Sequence, residues 1–122
     1  MPATIPPPAG AAVKVFEELT PAGPTIGVKK VFGQPAAFVN GNMFLGVFGE
    51  KVFVRLSEEE GKTARERHGL EPFEPMPGRP MRGYVVLPAK LLSDRATARK
   101  WVSKSLAFAA GLPPKVPKRS RG

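Results

Sequence analysis

The chain has 122 residues, a size that fits one domain, and folding at that length removes roughly two-thirds of the extended chain's surface from water. It carries 19 basic and 10 acidic side chains for a formal net charge of +9, with 42% apolar residues to build a core. The absence of cysteine and a single histidine, His68, exclude disulfides, thiolate chemistry and multi-histidine metal sites.

Pro2, Pro6, Pro7 and Pro8 make residues 1–10 an extended, disordered start rather than a signal peptide. A helix is predicted from Ala11 to Leu19, where Val13, Phe16 and Leu19 form an apolar stripe and Pro21, Gly23 and Pro24 end it. Ile26 to Phe32 reads as a strand, turned by Gly33-Gln34-Pro35 into a short strand Ala36 to Val39. Asn40-Gly41 then signals a hairpin, since both residues tolerate the positive φ of a type I′ turn. Met43 to Phe48 and Val52 to Leu56 follow, joined by Gly49-Glu50.

Counting outward from Gly49-Glu50 pairs Phe48 with Lys51, Val47 with Val52, Gly46 with Phe53, Leu45 with Val54, Phe44 with Arg55 and Met43 with Leu56. One face is then aliphatic: Met43, Leu45, Val47, Val52, Val54 and Leu56. The other interleaves Phe44, Phe48 and Phe53 with Lys51 and Arg55. The aliphatic face is expected to be core. The mixed face has three readings: covered by the C-terminal helix, an interface with a partner or second copy, or a platform for stacked bases.

Ser57-Glu58-Glu59-Glu60 is a capping box opening a mostly solvated helix that ends near His68 at a left-handed Gly69. Four prolines between Pro72 and Pro80 make a stiff loop, followed by a strand Tyr84 to Leu87 and a short helical turn from Pro88 to Leu92. The last helix starts at Ser93 or Asp94 and stops at Gly111, with Ala98, Trp101, Val102, Ser105, Leu106, Phe108 and Ala109 on one arc. Beyond Asp94 there is no acidic residue but eight basic ones, which leaves residues 1–94 with 11 basic and 10 acidic groups. Basicity is thus a C-terminal property. Arg99, Lys100, Lys104, Lys115, Lys118, Arg119 and Arg121 are the candidate contacts to nucleic-acid phosphates; the bland alternative is a solvated helix face and tail.

These elements make an α+β domain with an antiparallel sheet flanked by helices, over residues 11–112, followed by a basic tail at 113–122. Val31-Phe32-Gly33, Phe38-Val39-Asn40-Gly41-Asn42-Met43-Phe44 and Val54-Arg55-Leu56 resemble the N-terminal domain of TfoX/Sxy proteins. Phe73 to Met81, Tyr84-Val85-Val86-Leu87-Pro88, Asp94 and Trp101-Val102 continue the resemblance in order. It implies a secretion-chaperone-like fold and a role beside transcription regulators such as the cAMP receptor protein in natural competence. It supplies no catalytic residues, and the chain lacks the second domain of the best-known members.

Catalysis has a thin inventory here. His68 sits at a helix end, Glu58, Glu59 and Glu60 suit a first helical turn, and Gly78-Arg79 has no phosphate-loop context. The reading is a cytoplasmic, non-enzymatic module with no cofactor and no metal. It acts through a protein partner by way of Phe44, Phe48, Phe53, Lys51 and Arg55, with a homodimer possible, an auxiliary nucleic-acid contact and no membrane. The alternative is a small enzyme or ligand-binding domain with a pocket near Arg79 and Tyr84.

Overall fold

Helix α1 (Gly10–Leu19) buries Ala12, Phe16 and Leu19, one face of a helix that ends as Thr20 turns extended and caps the Phe16 carbonyl. The computed structural model describes residues 7–31, 33–76 and 78–114, so the expected disordered start and basic tail fall largely outside them. At their margins, Ala9 N–H donates to the Gly49 carbonyl at 2.9 Å and Asn42 Nδ2 to the Pro113 carbonyl at 3.0 Å. Both bonds tie down residues that the sequence reading left in the ends.

Strands β1 (Ile26–Val31), β2 (Gln34–Val39), β3 (Asn42–Phe48) and β4 (Lys51–Arg55) form an antiparallel meander. Asn40 (φ 51°) and Gly41 (φ 81°) make the expected turn between β2 and β3. Helix α2 (Glu58–His68) opens with Ser57 Oγ accepting from Glu60 N–H at 3.1 Å and closes on left-handed Gly69. Strand β5 (Glu71–Pro72) and strand β6 (Tyr84–Leu87) complete a six-stranded sheet in the order β1-β2-β3-β4-β6-β5. The two-residue β5 lies inside what the prolines predict as loop; Pro72 is tolerated because β5 is an edge.

Helix α3 (Ala89–Leu92) leads to helix α4 (Arg95–Ala110), whose N-cap Asp94 accepts from Thr97 N–H and Oγ1–H. Those two bonds hold the Asp94 carboxyl below its ordinary pKa. An exposed 2.7 Å ion pair from Arg95 to Glu18 joins α4 to α1 and lowers the Glu18 pKa. Pairs this exposed add little stability. Helices α1 and α4 lie on one face of the sheet, where Phe16, Trp101, Val102 and Ala109 meet Leu45, Val47, Val52, Val54, Val85 and Leu87.

The register of β3 with β4 follows the predicted count from Phe48↔Lys51 to Leu45↔Val54, then departs from it. Between β2 and β3 the pairing steps from Ala37↔Leu45 to Phe38↔Met43, which leaves Phe44 as an extra residue, a β-bulge. A bulge flips the alternation beyond it. Phe44 therefore joins Leu45 in the core, fully buried, while Met43 moves to the opposite face beside Phe48 and Phe53. Ser105 of α4 fills the gap: Arg55 N–H donates to Ser105 Oγ at 3.1 Å, and Ser105 Oγ–H donates to the Phe44 carbonyl at 2.6 Å. One buried hydroxyl replaces a missing rung of the ladder and fastens the helix to the sheet.

Candidate functional site

The mixed sheet face is filled from within. Phe53 is only 5% exposed, stacked on Phe73 with ring centroids 4.1 Å apart, and Phe48 meets the edge of Phe73 at 5.4 Å. The covering segment is the proline-rich stretch after β5, pinned by Phe73 N–H to the Tyr84 carbonyl and Met81 N–H to the Phe73 carbonyl. The C-terminal helix does not cover it. Phe44 and Phe53 are thus corrected from candidate interface to interior, and the half-buried Phe48 has Phe73 as its partner. A base-stacking platform would need these rings uncovered. Lys51 is exposed, while Arg55 leaves the group: its guanidinium carbon lies 5.6 Å from the ring centres of both Tyr84 and Phe108.

Under that cover is a small apolar cavity of about 90 Å³, bordered by Gln34, Ala36, Met43, Phe48, Phe53 and Phe73 among others. Gln34 is buried, its Oε1 accepting from Gly49 N–H at 2.6 Å, while Nε2 has no hydrogen-bond partner among the described residues.

The basic residues of α4 are where the wheel puts them. Arg99, Lys100 and Lys104 are all exposed and, with Ala96 and Ser103, border one shallow depression. Lys100 and Lys104 also face a wider groove of about 570 Å³ between α2 and α4, whose other wall holds Glu59 and Glu60. Only Lys104 comes near a carboxylate there, 4.0 Å from Glu60. Lys115, Lys118, Arg119 and Arg121 lie outside the described residues.

His68 meets the Trp101 ring edge-on at 5.1 Å, which makes it a packing residue closing the α2–α4 groove. Arg79 is exposed in a tight bridge with Met76. Tyr84 instead lies against Phe53 and Arg55; burial pushes its phenol pKa up, and the Arg55 charge opposes that. The structure does not bring Arg79 and Tyr84 together in any cavity described. Among the described residues, no group of three or more His, Asp or Glu is placed to hold a metal ion.

A search of known protein families matches the TfoX N-terminal domain over residues 17–109. The chain belongs to the TfoX N-terminal domain family. The match spans the fold from the last turn of α1 to the last turn of α4, including the bulge, the Phe73 cover and the α4 face. This is not a known enzyme family. No curated protein matches the chain at a significant level. Among the described residues, no helix is long and apolar enough to cross a membrane.

What the sequence reading passed over is the company that Arg55 keeps. Arg65 and Arg82 share a cleft with it. Neither Arg65 nor Arg82 stands out in the sequence. They are 17 positions apart with no motif between them, so only the fold relates them.

Proposed function

We propose that this TfoX-type domain is a binding module that stays near nucleic acid through α4 and acts on transcription through a protein partner. The observation that supports the first part is the exposed trio Arg99, Lys100 and Lys104, which presents positive charge on a single rigid helix. Cations fixed on a helix release counterions from a phosphate backbone without reading its sequence. Among the described residues no element presents itself as a recognition helix, so preference for particular bases is not expected. Replacing all three with Glu should lower the slope of log affinity against log salt by about 2–3, the share of three phosphate contacts. Fluorescence anisotropy with labelled duplex DNA reads this directly, and an unchanged slope would remove α4 from the contact.

The partner contact has its own supporting observation, on β1 instead of the aromatic face. Val28 pairs with the fully buried Ala37 and so continues the core face, yet it is 56% exposed because α1 and α4 pack over β2, β3 and β4. An apolar residue on an edge strand, past the helical layer, suits a protein partner. Lys29 and Lys30 beside it disfavour indiscriminate edge pairing. With purified cAMP receptor protein, the class of partner that the resemblance implies, Val28→Glu is expected to weaken association at least tenfold while the melting temperature holds. Equal association would place the contact elsewhere.

A further inference from the structure

The cleft beside α2 has the chemistry of an anion site. Its volume is about 380 Å³, and its walls are Arg55 and Leu56 at the end of β4, Glu58, Gly61 and Arg65 along α2, Arg82 and Gly83 before β6, and Phe108 of α4. Glu58, Gly61 and Arg65 are spaced three and four apart, so one face of α2 forms the floor. Three arginines therefore line one cleft with a single glutamate. The two ion pairs among the described residues are Arg95–Glu18 and Lys104–Glu60, and none of these three arginines takes part in either. Three like charges gathered against a single carboxylate repel one another, and an arriving anion relieves the repulsion.

Two backbone features fit this use. Gly61 is buried inside α2, where glycine weakens a helix relative to alanine. Arg65 Nη1 lies 3.4 Å from where a Cβ on Gly61 would stand, so this guanidinium lies over the helix at the floor of the cleft. Gly83, at φ 87°, turns the chain so that its carbonyl accepts from Leu56 N–H at 2.7 Å, and this fixes the segment carrying Arg82 against the end of β4.

We infer that this cleft binds a small molecule bearing a phosphate monoester, with Arg55, Arg65 and Arg82 on the phosphate and Phe108 against the organic part. Guanidinium forks match phosphate oxygens in pairs. Three such groups against Glu58 leave an excess of two positive charges, which suits the nearly dianionic phosphate better than a lone carboxylate. The volume lies at the small end of ligand pockets, about the scale of a mononucleotide or sugar phosphate. The site uses none of the α4 trio, so it stands or falls separately from the nucleic-acid reading.

The test is titration of the ¹⁵N-labelled full chain with inorganic phosphate, 5′-AMP and adenosine, followed by amide shifts. Saturable shifts centred on Gly61 and Gly83 are expected with phosphate and with 5′-AMP, and none with adenosine. Tighter binding of 5′-AMP than of phosphate would support Phe108 as the contact to the organic part, and equal binding would overturn that part of the proposal. Arg82→Ala and Arg65→Ala should each weaken binding at least tenfold; both residues are exposed, so folding should persist, as an unchanged melting temperature would show. Arg82→Lys should recover only part of the affinity. No saturation at millimolar ligand, adenosine binding as well as 5′-AMP, or full affinity in Arg82→Ala would overturn the proposal.

Discussion

Ser105→Ala should destabilise the domain by about 2–4 kcal/mol, far more than the loss of one oxygen from a helix would suggest. The hydroxyl is fully buried and serves two backbone groups at once, the Arg55 N–H and the Phe44 carbonyl. Those groups do not pair with each other: the β3–β4 ladder ends at Leu45↔Val54, next to the bulge at Phe44. Without Ser105, each is left unsatisfied or must admit water under α4. Ser105→Cys keeps the volume and a weak donor, so it should fall between alanine and the original residue. Thermal unfolding should report a drop of about 10 °C or more for the alanine variant. A shift within a degree or two would mean that the bulge does not depend on the hydroxyl.

Gly46→Ala is expected to cost about 2–3 kcal/mol, although alanine normally favours neither turn nor bulge and Gly46 sits inside a regular strand. A Cβ at this position would overlap Phe53 Cζ and fall 2.9 Å from Cε2. The ring cannot swing away cheaply, since Phe73 stacks on it and Tyr84 meets its edge at 5.7 Å. Gly46 is thus the recess into which the aromatic layer settles. Adding Phe53→Leu to Gly46→Ala should recover part of the loss, a coupling that a double-mutant cycle measures in denaturant unfolding. Strict additivity would show that the clash is relieved somewhere else.

The residues explain why some of this fold could be read in advance. Ser57, Gly69 and Asn40-Gly41 act on backbone within a few positions of themselves, so their signals survive in one dimension. The Gly49-Glu50 turn fixed the β3–β4 pairing as far as Leu45↔Val54 for the same reason. Phe44 broke the count because its bulge is supported by Ser105, 61 positions later. Nothing near Phe44 announces that. For the face carrying Phe48 and Phe53 the sequence leaves three readings open, one of them a cover by the C-terminal helix, whereas Phe73 covers it from a segment whose prolines read only as loop. Of the candidate contacts, exposed Arg99, Lys100 and Lys104 follow from helical spacing alone, while the Arg55, Arg65 and Arg82 cluster depends on three separate elements meeting.

The central functional claim is that the nucleic-acid contact belongs to the folded domain. It is tested most directly by anisotropy with duplex and single-stranded DNA across a salt series, comparing the full chain with one ending at Pro114. Binding that survives removal of Lys115, Lys118, Arg119 and Arg121, with a salt slope still near three phosphate contacts, is the expected result. Binding that disappears with those four residues, or is absent from both chains at low salt, would contradict it.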